Sequence, residues 1–291
     1  MKQRIMKISE ILTKRKKGFA FEFFPPRTRK GLVSLNSTAK ILKRCDPLYM
    51  SMTYGAGGKT RETTREAIYM LKKDKDLTLM PHLTSVGAGK DDLKLIIEEY
   101  AREGIVNIMA LRGDPPLDEA GFDFSCQEIS YACDLVKFIK EQGDFCVGVA
   151  VYPEGHIECS NLDKDMYYTR KKIDAGADFA VTQMFFDNRY FYSLLQRMKK
   201  NNIEIPVVPG ILPLTNIDKV KQFSSLSRTT IPKEIEKELN SLRNYPREME
   251  KTGVEFTIRQ CRDLLNNGVT RFHFFTLNKP KVITTILEAL T

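Results

Sequence analysis

The sequence predicts an α/β fold, a (β/α)8 TIM barrel formed as a single domain over residues 1–291. Two observations carry this. Short apolar runs alternate with amphipathic, Lys- and Glu-rich stretches of helical length, which calls for a parallel sheet. Eight such runs occur, the number that closes a barrel in roughly 250 residues. Nearly all of them break at their C-terminal end into polar residues with Gly or Pro, and barrel active sites lie where strands end.

In order, the strand candidates are FAFEFFPP (19–26), LYMSMTYG (48–55), LTLMPHLTS (77–85), IVNIMALRGDPP (105–116), FCVGVAVYPE (145–154), FAVTQMFFD (179–187), IPVVPGILP (205–213) and RFHFFTLN (271–278). Helical periodicity falls at about 30–44, 60–73, 90–103, 127–141, 161–175, 188–200, 216–224 and 280–289. Asp91, Asp163 and Asn188 suit first turns or caps, and Gly104, Gly143 and Gly176 suit helix ends. The stretch 225–270 exceeds one crossover helix and reads as an inserted helix, a turn near Pro246 and a long final helix. No Pro/Gly/Ser-rich linker or change of composition divides the chain, so one domain is expected.

The opening MKQRIMKISEILTKRKKG is basic but has no apolar signal-peptide core, and no segment approaches the length of a membrane span. A soluble, unprocessed, cytoplasmic protein without a membrane partner is expected. Six cysteines are scattered without CxxC or Cys/His spacing, which favours reduced thiols and no metal site. The net charge of +9 would steer an anionic ligand towards a basic cleft. The basic residues lack the aromatic interleaving of a nucleic-acid module, so no nucleic-acid partner is expected.

Each strand end offers candidate chemistry. Alternation puts Ala20, Glu22 and Phe24 on one side of the first strand and Phe19, Phe21 and Phe23 on the other. A carboxylate among aromatics can keep its proton and act as a general acid, or it can be a structural partner of Arg or Lys. TYGAGGKT (53–60) lacks the first glycine of a P-loop, since Thr53 stands there, and reads instead as a turn open to a flat ligand. His82 follows Pro81 without a second His two residues away, so it is a structural hydrogen-bonding group or a ligand contact. Arg112 and Asp114 share parity around Gly113 and either face the mouth or form a loop-fixing ion pair. Tyr152 and His156 precede a helix whose Asp165, Tyr168, Lys171 and Lys172 could grip ribose, adenine or pyrophosphate, or be solvated helix charges. Gln183 is an amide among apolar residues and needs partners that a ligand could supply. The sixth strand has no lysine, which argues against a Schiff-base aldolase, and no strand leads into GxGxxG.

Taken together, FEFFPPRT, SMTYGA, PHLT, ALRGDPP, VYPEGH, KKIDAGADFAVTQMFFD, PGILP and HFFTLN resemble the methylenetetrahydrofolate reductase family in its bacterial single-domain form. The match runs in order from about residue 19 to 280. A eukaryotic-type member would carry a further C-terminal regulatory domain, for which the chain to Thr291 leaves no room. The resemblance implies FAD and a ping-pong hydride transfer from NAD(P)H, with NADH preferred, through flavin to 5,10-methylenetetrahydrofolate, giving 5-methyltetrahydrofolate. It implies Glu22 as the general acid at folate N10 and Asp114 as a catalytic residue near flavin and pterin.

The residues matching the family's flavin shell are Thr53, Tyr54, Ala56, His82, Arg112, Gly113, Asp114, Tyr131, Ala132, Tyr152, His156, Asp165, Lys171 and Lys172, with Tyr168 by the adenine half. Gln183, Lys219, Phe223 and Lys279 match substrate-binding positions. Lys219 stands where the enteric form has Gln, Phe275 replaces Tyr, and Lys279 replaces Arg and so cannot make a bidentate fork to a folate tail. Cys159 and Tyr168 replace the usual Ala and Asn. Homo-oligomerisation is a further family expectation. The competing readings are a flavin- or folate-binding subunit active only with a partner, and a proline-dehydrogenase-like flavin barrel.

Overall fold

Strand alternation sorts each apolar run into two faces. In β1 (Gly18–Phe23) Phe21 and Phe23 point outward and pack with helix residues such as Leu35 and Ile286, while Ala20 and Glu22 point inward. The same division holds in β2 (Met50–Met52), β3 (Leu79–Thr84), β4 (Asn107–Leu111), β5 (Cys146–Val151) and β6 (Phe179–Thr182). The computed structural model describes residues 6–26, 28–54, 61–115 and 122–290.

All the strand pairings are parallel, and the order is β7-β6-β5-β4-β3-β2-β1-β9-β8. β7 (Val207–Val208) and β8 (Gly210–Ile211) are two pieces of the expected seventh strand. Pro209, which has no N–H to donate to a ladder, sits between them. β7 pairs with β6 and β8 pairs with β9 (Arg271–Phe275), so this broken strand joins the two ends of the sheet into a barrel.

The expected helices form as α2 (Arg29–Lys43), α3 (Arg61–Lys72), α4 (Lys90–Arg102), α5 (Ala132–Gln142), α6 (Leu162–Asp174), α7 (Asn188–Lys200), α8 (Ile217–Ser227) and α11 (Pro280–Leu290). The long stretch before β9 holds α9 (Lys233–Ser241) and α10 (Pro246–Asn266), the latter starting at Pro246 where a first-turn proline fits. One further helix, α1 (Ile8–Lys14), lies in the segment expected only to be basic. Its Ile8, Ile11 and Leu12, spaced three and one apart, are buried with Ala20, Tyr49, Met80, Met109 and Phe179 inside the barrel. The Ile8 N–H donates to Asn107 Oδ1 at 2.7 Å, so α1 plugs the N-terminal end and leaves the C-terminal end for chemistry.

The interior is filled to contact. A Cβ on Gly148 of β5 would lie 2.6 Å from the Phe179 ring, so this glycine makes room for the large side chain opposite. Higher up, α10 closes on the C-terminal loops. Gln260 Nε2 donates to Phe185 O at 2.7 Å, and Gly253 abuts the backbone of Leu214.

Candidate active site

At the level of Glu22 the inward-facing positions of β1, β2, β3 and β9 are Glu22, Ser51, His82 and His273. All four side chains are buried. His273 Nε2 is 3.0 Å from Glu22 Oε2, and His82 Nε2 is 3.3 Å from the same oxygen but outside good hydrogen-bond geometry. Behind His273, Tyr49 Oη is 3.1 Å from Nδ1. Ser51, paired in register with Glu22, has a buried Oγ without a protein partner.

The backbone of Glu22 is clasped as well. Its carbonyl accepts from Thr276 Oγ1 at 2.6 Å and from the Thr276 N–H at 3.1 Å. Asn278 pairs reciprocally with the Phe24 backbone, donating to its carbonyl at 2.9 Å and accepting its N–H at 3.1 Å. The HFFTLN segment therefore holds the catalytic candidate from both sides.

This arrangement corrects the expected environment of Glu22. An aromatic setting would keep the carboxyl protonated, but the phenylalanines face the helices and the carboxylate faces two imidazoles. Burial raises its pKa, and the His82 and His273 imidazoles against its Oε2 more than offset burial, bringing it down to about 2. The alternative of an Arg or Lys partner is not what forms either. A carboxyl depressed in the folded state stabilises the fold above its ordinary 4.5, and that contribution is lost as pH falls towards 2. In urea melts the unchanged protein should thus lose stability through this window more steeply than Glu22→Gln; parallel pH curves would remove the linkage.

Around the mouth, Gly113 has φ +90°, and a Cβ there would stand 2.4 Å from Val86 Cγ1, so the β4 exit requires glycine. Arg112 does not pair with Asp114 in a hydrogen-bonded fork. Its guanidinium donates to both carboxylate oxygens of Glu158, at 2.6 and 2.5 Å, and lies 3.9 Å from the centre of the Phe124 ring. Asp114 is exposed, close enough for its charge to act on Arg112 and Tyr152. Tyr152 and His156 meet edge to face at 4.7 Å, and burial pushes the His156 imidazole below its ordinary pKa.

On α6 the expected cluster divides. Asp165 and Lys172 turn inward and are buried, Lys172 Nζ donating to Ala150 O at 2.5 Å beneath the Tyr152 ring. Burial lowers the Lys172 pKa, with Asp165 opposing. Asp165 Oδ1 accepts the His156 N–H at 3.0 Å, while its buried Oδ2 has no protein donor. Lys171 turns away from this cluster, over Tyr167 at 4.8 Å. Tyr168 stacks on Tyr131 at 5.8 Å, at the start of α5 beside Ala132. These two rings form a rim.

Elsewhere, Thr53 N–H donates to Phe23 O at 3.0 Å, bringing the β2 exit and Tyr54 next to Glu22's strand. Ala56 lies outside the described residues. Gln183 Oε1 accepts from Met184 N at 2.9 Å, so its NH2 group is what it offers a ligand. Phe223 packs on the cluster of Met184, Leu212 and Leu214 at the mouth, with Lys219 exposed one turn earlier on α8. Lys279 Nζ reaches Thr215 Oγ1 at 3.3 Å and Glu250 Oε2 at 3.5 Å, so its ammonium already has two protein partners.

His273 and Tyr49 were absent from the expected site. Both lie in apolar runs, and strand parity was the available signal, since His273 alternates with the outward-facing Phe272 and Phe274.

A family model described as methylenetetrahydrofolate reductase matches residues 7–291. The chain belongs to this family. A 5,10-methylenetetrahydrofolate reductase of Buchnera aphidicola (subsp. Schizaphis graminum) is 39% identical over 92% of this chain and 89% of that protein. The Pectobacterium carotovorum protein of the same description is 35% identical over 93% and 89%. Among solved structures, a Clostridium thermocellum protein described as binding two copies of 5-methyl-5,6,7,8-tetrahydrofolic acid superposes with a TM-score of 0.63. It covers 98% of both chains at 16% identity, which supports the fold alone. In this member of the methylenetetrahydrofolate reductase family, Glu22, His82 and His273 in one layer and Asp165 and Lys172 on α6 are buried titratable side chains. Among the described residues no helix is long and apolar enough to cross a membrane, and no group of His, Cys, Asp or Glu could hold a metal ion.

Proposed function

We propose that this chain reduces 5,10-methylenetetrahydrofolate to 5-methyltetrahydrofolate with electrons from NAD(P)H, using FAD in a ping-pong scheme. The observation that carries this reading is Glu22. It is a buried, inward-facing carboxylate with two imidazoles against one oxygen, at the strand-end side of a reductase-family barrel.

The residues present fit FAD. The buried Oδ2 of Asp165 without a donor would accept a ribose hydroxyl. Gly113 would let the β4 backbone approach a flat ring, and the Lys172 ammonium, with the Arg112 guanidinium that Glu158 shares, would supply positive charge for a pyrophosphate. When bound, FAD supplies a two-electron carrier between nicotinamide and folate. The protein's own work is binding and proton management. Gln183 donates its NH2 group to the edge of a ring, and Phe223 offers a face for stacking. Asp114 sets the charge near the pterin. Glu22 delivers a proton to folate N10, so that the bond from N10 to the bridging carbon breaks with its electron pair on N10. The N5 lone pair then makes the bridging carbon an iminium able to accept hydride.

Purified protein should be yellow, bleach anaerobically with NADH or NADPH, and recover its colour on addition of methylenetetrahydrofolate. Colourless protein unable to take up FAD would overturn the reading. Asp165→Ala should weaken FAD about 10- to 100-fold in a flavin-fluorescence titration, the effect of losing a hydrogen bond to a charged acceptor. Unchanged affinity would remove Asp165 from the flavin site.

A further inference from the structure

Glu22 presents a conflict between chemistry and surroundings. A donor at N10 must carry a proton, yet two imidazoles favour the ionised carboxylate. The geometry behind Glu22 resolves it. His273 is fully buried and has a partner on each ring nitrogen, Glu22 Oε2 at 3.0 Å from Nε2 and Tyr49 Oη at 3.1 Å from Nδ1. Such a ring is satisfied both as a cation and as a neutral base. As a cation it donates from both nitrogens, to the carboxylate and to the phenol oxygen. When the Nε2 proton moves to Glu22, the new carboxyl O–H donates back to Nε2 and the Nδ1–H stays on Tyr49. No ring flip is needed. Burial holds the Tyr49 phenol protonated, so Tyr49 serves as a fixed neutral partner.

The groups facing this cluster are few. The charges acting on Glu22 come from His82 on β3 and His273 on β9, and those on Tyr49 come from Glu22 and from Cys146 on β5. A buried site disfavours net charge, so one imidazolium balances the carboxylate, and His273, with a hydrogen-bond partner on each nitrogen, is a better seat for it than His82, whose Nε2 has none.

We propose that Tyr49 and His273 form a proton-holding dyad behind Glu22, with His273 keeping the proton in the resting enzyme and passing it to Glu22 Oε2 as folate N10 is protonated. The balance per turnover is one proton. It leaves the Glu22–His273 pair for N10, the bond from N10 to the bridging carbon breaks onto N10, and the pair takes a proton back from water. Tyr49 and His273 are thus positioning residues that act through Glu22. The inference rests on the reductase reading, and it predicts which half-reaction depends on the dyad.

His273→Gln is the informative change, because the amide can still donate to Glu22 but cannot carry the mobile proton. In anaerobic stopped flow, bleaching by NADH should continue in this variant while recolouring by methylenetetrahydrofolate slows about 10- to 100-fold. The loss should grow with pH, the alkaline fall of the recolouring rate beginning at least about one pH unit lower, because Glu22 must then retain the proton without its reservoir. Tyr49→Phe, which removes the acceptor at Nδ1, should shift the profile in the same direction by less. A slowing of recolouring by one factor at every pH, or recovery of the full rate and profile by Gln, would overturn the dyad.

The protein without added substrates gives a second readout. The chain has three histidines, so their imidazole 15N signals can be assigned by single His→Gln changes. Both His273 ring nitrogens should carry a proton in the unchanged protein, and one should lose it in Glu22→Gln, where no carboxylate remains beside Nε2, with the His156 signal unaffected. A His273 signal that is the same in Glu22→Gln as in the unchanged protein would also overturn the dyad. If the unchanged protein bleaches but methylenetetrahydrofolate does not restore its colour, the reductase reading falls. If colour returns and His273→Gln leaves the pH profile unchanged, the dyad alone falls.

Discussion

Glu22→Gln should still be bleached by NADH or NADPH and should lose recolouring by methylenetetrahydrofolate by about 10²- to 10⁴-fold, the usual worth of a general acid. The amide has the carboxylate's shape, and its oxygen can still accept from His273 Nε2, so the clasp by Thr276 and Asn278 and the packing of Phe21 and Phe23 should survive. What it lacks is a transferable proton. Hydride movement from nicotinamide to flavin requires no protonation at N10, and for that reason the two half-reactions should separate. Anaerobic stopped flow at the flavin absorbance reads both in one protein sample. Equal loss of the two would reassign Glu22 to structure, with His82 and His273 as its buried counter-groups.

Gly253→Ala should destabilise the protein by about 3 kcal/mol, despite a gain of about 1 kcal/mol in helix propensity. Gly253 lies inside α10, where a Cβ would stand 1.7 Å from Leu214 O. The obstacle is backbone at the exit of β8, and no rotamer change can move it aside. Either α10 lifts or the Leu214 loop moves. At about 1.6 °C per kcal/mol for a chain of this length, the melting midpoint should fall by about 5 °C. The same displacement would carry Thr215, the partner of Lys279, and disturb the hold of Gln260 on Phe185 O. The KM for folate should therefore rise more than FAD affinity falls. A melting midpoint within 2 °C of the unchanged protein would show that α10 can move away without loss.

The two changes test different levels of the molecule, and those levels were unequally visible in the chain. Strand and helix positions follow from periods of about 2 and 3.6 residues, which are local properties. Hence α7 falls at 188–200 as expected, and Pro246 starts a helix. Helix α1 was obscured because its three apolar residues are embedded in lysines and arginines, and its burial depends on a barrel end built by Asn107 and Met109. The break at Pro209 was hidden for a similar reason: it matters only once β7 and β8 pair with different neighbours.

The site shows the same division. Residue order alone specified eight strand ends, the face of the first strand that carries Glu22, a glycine between Arg112 and Asp114 and a family resemblance along the barrel. Folding decided the neighbours. It brought His273 to Glu22 across 251 positions and Tyr49 to His273 across 224, gave Arg112 to Glu158, and turned Lys172 inward but Lys171 outward. Alternation tells a side chain which way to point and cannot say what stands opposite, because proximity across a closed sheet is set by register and closure. Acidity follows those partners, so the charge state of Glu22 emerges only when the barrel is assembled.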